Sequence, residues 1–250
     1  MAAVELCATH MAEWVISSDK AAVSSSVAQR IAALSAEAIA ARGRFVVALS
    51  GGSLPKIVAA GLAGLEGDVD YSKWTVLFAD ERCVPLDDAD SNFKACWEGW
   101  LAAAGVPRDQ VLSIDPDAAA ISAEAAAAAY EAALETALGG DEGGLFDVAL
   151  LGMGPDGHTC SLFPGHALLE ESSRLVAFIE NSPKLPPRRI TLTYPALRRA
   201  RAVFFVAAGS SKREALDAIR AGEELPAARV VPADGGAVAW FVDEAAAGSS

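Results

Sequence analysis

Phe146-Asp-Val-Ala-Leu-Leu-Gly-Met-Gly-Pro-Asp-Gly-His-Thr-Cys-Ser-Leu-Phe-Pro164 is the stretch on which the reading of this chain turns. A short apolar run ends at Gly152 and reads as a fully buried strand, and the glycine-rich loop behind it presents Asp156 and His158. In an open α/β sheet ligands bind outside the carboxyl ends of the strands. The loop therefore has the position of an active site, with one carboxylate, one imidazole and little side chain to obstruct them.

Three readings of the loop compete. Gly152, Gly154 and Gly157 match G-x-G-x-x-G, and Glu180 could serve as the ribose-binding acid of a dinucleotide site. That fingerprint needs a helix opening on its third glycine, and Phe163-Pro164-Gly165 cuts any such helix after about two turns. The second reading is a glycine turn whose histidine is merely hydrogen-bonded. The third makes His158 a general base, and the rest of the chain has to support or refuse it.

At 250 residues the chain can bury a sizeable core, and we expect a single domain spanning 1–250. The net charge of -13 and pI near 4.6 argue against nucleic acid or an anionic membrane as partner. An anionic ligand would need a local basic pocket. Cys7, Cys83, Cys96 and Cys160 lie far apart with no C-x-x-C pair, which suits free thiols in a reducing compartment. Cys160, two residues past His158, is a conceivable thiol nucleophile, although nothing in the sequence lowers its pKa. No basic start with a long apolar core opens the chain, and no run of eighteen apolar residues follows, so the expectation is a soluble, cytoplasmic protein. No His/Cys/Asp cluster has metal-ligand spacing, and no metal is expected.

Strand and helix signals alternate. Strands are expected at Glu13–Ser17, Phe45–Leu49, Trp74–Phe78 and Val111–Ile114, in the central run, near 175–179, 189–193 and 202–207, and at Ala237–Phe241. Between them, Asp19 caps a helix to Ala41 with Gly43 as its stop, Leu54-Pro55 opens another, and Asp90-Ser91-Asn92 caps one through about Ala104. Residues 117–138, nearly all alanine, read as one long surface helix, and Gly139 to Gly144 as a loop. Pro195–Ala200 reads as a short helical turn, and a last helix is expected from about Ser211 to Ala221. This order implies an α/β, three-layer fold with a largely parallel sheet flanked by helices.

Three further junctions fall on the same sheet edge. Ser50-Gly51-Gly52-Ser53 joins a strand to a helix, where unpaired amides and the helix dipole make an anion site; it is not a Walker A loop, and an ordinary glycine turn is the rival reading. Arg82 could bind phosphate with its planar fork, or merely pair with Asp80 or Glu81. Lys212 stands at another strand-to-helix junction as a cationic contact or a solvated lysine.

Taken together, Leu49-Ser-Gly-Gly-Ser53, Asp80-Glu-Arg-Cys-Val-Pro85 with Asp90-Ser-Asn92, the Gly152–His158 loop through Ser161-Leu-Phe-Pro164, and Asn181-Ser-Pro-Lys184 leading to Arg189-Ile-Thr-Leu-Thr resemble the 6-phosphogluconolactonase family over about residues 10–242. The resemblance implies a Rossmann-like fold shared with glucosamine-6-phosphate deaminase. It also implies hydrolysis of 6-phospho-D-glucono-1,5-lactone to 6-phosphogluconate in the oxidative pentose phosphate pathway, with no required cofactor, by a monomer or weak homodimer. His158 would be the catalytic base with Asp156 beside it. Ser50, Gly51, Gly52, Ser53, Arg82 and Lys212 would fall in or near the substrate pocket, and Asn92, Lys184 and Arg189 match family motifs. An amino-sugar phosphate deaminase or isomerase is the closest rival; that family carries a Glu a few residues past its Asp-Gly-His, whereas the first carboxylate here is Glu170. A non-enzymatic sugar-phosphate sensor is a rival of another class. No G-x-S-x-G elbow or Ser-His-Asp constellation points to a covalent intermediate.

Overall fold

The structure, a computed structural model, describes residues 12–65, 67–138, 144–233 and 235–248. Cys7 and most of the Gly139–Gly144 loop lie outside them. Seven strands form one parallel sheet: β1 (Glu13–Ser17), β2 (Phe45–Leu49), β3 (Trp74–Phe78), β5 (Val111–Leu112), β6 (Val148–Leu151), β9 (Ala202–Ala207) and β10 (Ala237–Asp243), in the order β1-β10-β9-β6-β2-β3-β5. Side chains of successive strand residues point to opposite faces. Phe45, Val47 and Leu49 of β2 accordingly enter one core and Val46 and Ala48 the other. Both faces are apolar because helices cover both, which is the three-layer α/β arrangement expected.

One face is covered by α1 (Lys20–Arg42), α2 (Leu54–Leu62) and α3 (Asn92–Cys96). Asp19 caps α1 by accepting from Ala22 N at 2.9 Å, and Gly43, at φ 75°, ends it in the left-handed conformation that suits glycine. The helix expected to run from Asn92 to about Ala104 changes character at Trp97, where a π-helical turn through Leu101 buries Trp100 and Leu101.

The other face carries α4 (Pro116–Ile121), α5 (Ala123–Leu138), α6 (Tyr194–Leu197), α7 (Arg213–Arg220) and α8 (Glu244–Ala247). The single surface helix expected over 117–138 is two helices. Ser122 is extended, at φ -163° and ψ 161°, and its hydroxyl accepts from Ala125 N at 2.9 Å. A serine that can cap the next helix competes with continuing the first. Nor is α5 a surface element, since Ala126, Ala127, Tyr130, Leu134 and Leu138 are buried. The last helix also starts later than expected, at Arg213, behind a 3-10 turn over Ser210–Lys212.

A correction concerns the sheet itself. The strands near 175–179 and 189–193 lie outside the parallel sheet: β7 (Val176–Ile179) and β8 (Arg189–Leu192) form an antiparallel sheet with β4 (Asp80–Arg82), a segment that carries no strand pattern in sequence. Ala79 joins the two sheets, its N–H donating to Leu49 O and its C=O accepting from Leu192 N, both at 2.8 Å. Asp80, Glu81 and Arg82 are thereby fixed directly beyond the end of β3.

Tyr130 reaches from α5 to that same point. Its buried hydroxyl accepts from Phe78 N at 2.8 Å and donates to Phe78 O at 3.1 Å. Tyr130→Phe leaves both backbone groups without this partner, which costs about 1–3 kcal/mol. Urea unfolding of the variant should show that loss; a change below about 0.5 kcal/mol would mean the bond contributes nothing to holding β3.

Candidate active site

Parallel register brings the loops together. Leu49 pairs with both Phe78 and Leu150, and Leu151 pairs with Phe205, so β2, β3 and β6 end within a residue of one another and β9 runs on to Ala207 at the same edge. Ser50 N–H donates to Leu150 O at 3.0 Å, which sets the Ser50–Ser53 turn beside the loop that follows β6. Gly52 takes φ 71°. Gly51 has no room for a side chain: a Cβ there would sit 1.8 Å from Asn92 Oδ1. Ser53 precedes α2 without a side-chain capping bond. The first amides of that helix have no intrahelical acceptor, and they face the turn with the positive end of the dipole. Ser50 Oγ is buried without a hydrogen-bond partner.

Arg82 extends from β4. Its Nη1 donates to Asp90 O at 2.5 Å while its buried Nε has no partner, so the surface ion pair with Asp80 or Glu81 does not form. Across the antiparallel pair stands Arg189, only 4% exposed. Its Nε and Nη2 donate to the carbonyls of Pro186, Lys184 and Leu185, each at 2.9 Å, so the guanidinium holds the loop that carries Lys184. Its Nη1 lies 4.0 Å from Asp80 Oδ2. Asp80 in turn accepts from Ser161 Oγ at 2.9 Å and, through its main-chain oxygen, from Asn92 Nδ2 at 2.8 Å.

The loop behind β6 folds back on itself, with Gly154 N–H donating to His158 O and Gly157 N–H to Gly154 O. His158 Nδ1 lies 2.5 Å from Asp156 Oδ1 and 3.1 Å from Lys184 Nζ. An ammonium has no lone pair to offer, and the shorter contact is to a carboxylate. The ring proton therefore belongs on Nδ1 and is donated to Asp156, while Lys184 forms a longer pair with Asp156 at 3.5 Å. That tautomer leaves the Nε2 lone pair unused. Gly154 is required here, because a Cβ would fall 2.0 Å from His158 Nδ1 and 2.5 Å from Asp156 Oδ1. Phe163 packs 4.7 Å from the imidazole, centroid to centroid.

Burial pushes the His158 pKa below its usual 6.5; Asp156 pulls it back up and Lys184 adds to the depression. Burial alone would raise Asp156, but its hydrogen bond to His158, the charge of that ring and Lys184 outweigh this and hold it below the usual carboxylate range. At neutral pH the pair is an aspartate and a neutral imidazole. Cys160, whose backbone has a positive φ of 51°, is buried, and desolvation drives its thiol pKa far up. Although Cys160 borders the cleft, a thiol so desolvated carries little thiolate, which speaks against a nucleophilic role.

Lys212 completes the rim. It follows Gly209, whose N–H donates to both carboxylate oxygens of Asp243 at 2.9 and 3.1 Å. Burial and then Lys184 lower its pKa, the repulsion expected of two ammonium groups sharing a space. Ser50, Gly51, Gly52, Ser53, Arg82, His158, Lys184, Arg189 and Lys212 all line one cleft of about 260 Å³. Two residues singled out from sequence stand behind it. Asp156 backs the imidazole, and Asn92, 1% exposed, packs against Gly51. Asp80, Met153 and Val206 also line the cleft. The first entered the sequence reading only as a rival partner for Arg82, although a carboxylate directly after a buried strand was a signal. Nothing in sequence marked the other two. Among the described residues no group of three or more His, Cys, Asp or Glu is arranged to hold a metal, and no helix is long and apolar enough to cross a membrane.

A cationic cleft with a carboxylate-oriented imidazole, at the carboxyl edge of a parallel sheet, defines an α/β protein built to handle a small anionic molecule. The comparisons make this specific. The family described as glucosamine-6-phosphate isomerases/6-phosphogluconolactonase matches residues 18–240, and the chain belongs to that family. It is 46% identical over 228 residues to 6-phosphogluconolactonase of Rattus norvegicus, covering 89% of this chain and 87% of the relative. To that of Homo sapiens it is 45% identical over 233 residues, covering 91% and 88%. The crystal structure of 6-phosphogluconolactonase from Thermotoga maritima superposes with a TM-score of 0.80 at 30% identity, over 93% of this chain and 99% of that one. A monomeric glucosamine-6-phosphate deaminase, at TM-score 0.75 and 19% identity over 94% and 98%, shares the fold.

The cleft predicts a response to simple anions. Inorganic phosphate at about five times its Kd should stabilise the protein by about 1 kcal/mol, raising Tm by about 2–4 °C. Arg82→Ala should abolish that increment in a thermal melt. An unchanged increment would place the anion elsewhere.

Proposed function

We propose that this chain hydrolyses 6-phospho-D-glucono-1,5-lactone to 6-phospho-D-gluconate, in the oxidative pentose phosphate pathway, with His158 as general base. The observation that carries the reading is the imidazole held by Asp156 in the same cleft as the Ser50–Ser53 turn, Arg82 and Lys212. The names of the relatives support the substrate class.

A six-membered lactone is an ester locked in its less stable rotamer and is already open to attack by water. The catalyst needs a base for the water, a fixed carbonyl and donors for the developing oxyanion. His158 Nε2 takes the water proton as oxygen bonds to C1. The imidazolium so formed is stabilised by Asp156, and it returns the proton to the ring oxygen as the C1–O5 bond breaks. A positioned base supplies about 10²- to 10⁴-fold, or about 3–5 kcal/mol of barrier. Cradle amides, Arg82 and Lys212 hold the phosphate, so binding energy remote from C1 fixes the carbonyl in reach.

A specific observation favours lactone hydrolysis over amino-sugar deamination. Asp80 is the only carboxylate lining the cleft among the described residues. Glu170, the first acid after His158, is 81% exposed and paired with Arg229 at 3.6 Å, outside the cleft. Among the described residues, no carboxylate that follows His158 in the chain lines the cleft.

Freshly generated 6-phosphogluconolactone should be turned over well above its spontaneous hydrolysis, and glucosamine 6-phosphate should not react. His158→Ala should lower kcat about 10²-fold or more with a modest change in KM. Only the neutral imidazole is a base, so activity should fall with acid through a pKa below 6.5 rather than at or above it. Full kcat in a folded His158→Ala protein would remove the residue from the mechanism.

A further inference from the structure

Glu81 is the most completely enclosed charged side chain near the cleft, with 0% of its surface exposed, yet it does not line the cleft. Its Oε1 accepts from the backbone N–H of Arg82 at 2.7 Å and of Asn92 at 2.8 Å. Its Oε2 accepts from Phe93 N–H at 2.7 Å and from Ser91 Oγ at 3.3 Å. One carboxylate thus gathers donors from β4 and from the turn that opens α3. A buried carboxylate is tolerated only with its lone pairs filled, and this one is filled by donors from two chain segments that meet at the cleft wall.

The same turn touches the site twice more. Asp90 O receives Arg82 Nη1 at 2.5 Å, and the Asn92 side chain packs on Gly51 while donating to Asp80 O at 2.8 Å. Displacing the turn therefore moves the Arg82 guanidinium and the back of the cradle together. The His158–Asp156 pair rides on the loop after β6, which makes no direct hydrogen bond to the turn and meets it through Asp80 and Ser161.

We propose that Glu81 is a positioning residue: its carboxylate locks the Ser91–Phe93 turn to Arg82 and so sets the geometry of the phosphate grip without touching the substrate. This rests on the phosphorylated-lactone reading of the cleft. Burial pushes the Glu81 pKa up to about 7 against the pull of its three amides, with Asp80 adding a small repulsion. The other ionisable groups facing it are Cys83, Cys96 of α3, Tyr130 of α5 and Arg189 of β8. Only the carboxylate can accept from all four donors. A proton on Oε1 confronts an N–H already pointing at it, while one on Oε2 turns the Ser91 hydroxyl from donor to acceptor, so protonation costs the carboxylate at least the Ser91 bond as pH falls through about 7.

The test measures kcat and KM for 6-phosphogluconolactone, between about pH 6 and pH 8, with the wild type and Glu81→Gln. The amide is isosteric but turns one acceptor into a donor. KM should rise about 10-fold or more in Glu81→Gln at pH 8 while kcat stays within about 3-fold. Wild-type KM should climb toward acid more steeply than that of the variant, the phosphate's own ionisation being common to both. Superimposable KM profiles, or a loss of Vmax at unchanged KM as from a smaller folded fraction, would overturn the proposal. If Glu81→Gln does not fold, Ser91→Ala removes the weakest donor together with the cap that Ser91 Oγ gives Lys94 N–H at 3.2 Å, and Ser91→Asn, which can keep that cap, is its control. About a 2- to 5-fold rise in KM at constant kcat in Ser91→Ala supports the lock, and an unchanged KM, or a rise only as large as the control's, overturns it. A wild type without turnover would instead defeat the lactonase reading itself.

Discussion

Parallel strand pairing is the constraint from which the rest follows. Because β2, β3, β6 and β9 run the same way in matched register, their carboxyl ends meet at one edge. The loops that follow have nowhere to go but one edge. Each delivers a different kind of group: backbone amides after β2, cations after β3 and β9, an imidazole after β6. The antiparallel sheet of β4, β8 and β7 then closes one side, bringing Arg189 and, through its hold on three carbonyls, Lys184. The cleft is thus a product of topology before it is a product of any one side chain.

Electrostatics shape what the cleft accepts. The chain carries a net charge of -13, yet among the described residues the cleft is lined by Arg82, Lys184, Arg189 and Lys212 with Asp80 as its one lining carboxylate, and Asp156 pairs with Lys184 behind it. An acidic exterior repels nucleic acid and other polyanions, while a small phosphorylated molecule can enter and neutralise the excess. Burial and then Lys184 depress Lys212, and an anion bound between the two ammonium groups would relieve the repulsive part. Lys184 has a second effect, since it helps to keep His158 neutral.

Much of this was legible in the sequence, and the exceptions have physical causes. Continuous apolar runs such as Phe45–Leu49 and Val203–Val206 announce strands buried on both faces, and Asp19 and Gly43 mark the ends of α1 by capping chemistry. The strand-end motifs pointed to His158, the Ser50–Ser53 cradle, Arg82 and Lys212, and all of these line one cleft. By contrast, β4 is three charged residues, and only its partner β8 makes it a strand. The break at Ser122 hid inside an alanine-rich stretch whose helix propensity is uniform, so that only the cap decided the boundary. Asn92, which a family motif brought into the reading, packs against Gly51 and donates to Asp80 O behind the cleft. Long-range pairings of this kind leave no periodic trace in a single chain.

The proposed hydrolysis needs His158 to stand neutral, with its proton on Nδ1 toward Asp156 and the Nε2 lone pair ready to take a proton from water. Nitrogen-15 NMR of the histidine-labelled protein reads this directly. The account predicts a neutral Nδ1–H tautomer at pH 7 that becomes doubly protonated only below the usual pKa of 6.5. A doubly protonated ring at pH 7, or a proton resident on Nε2, would contradict it.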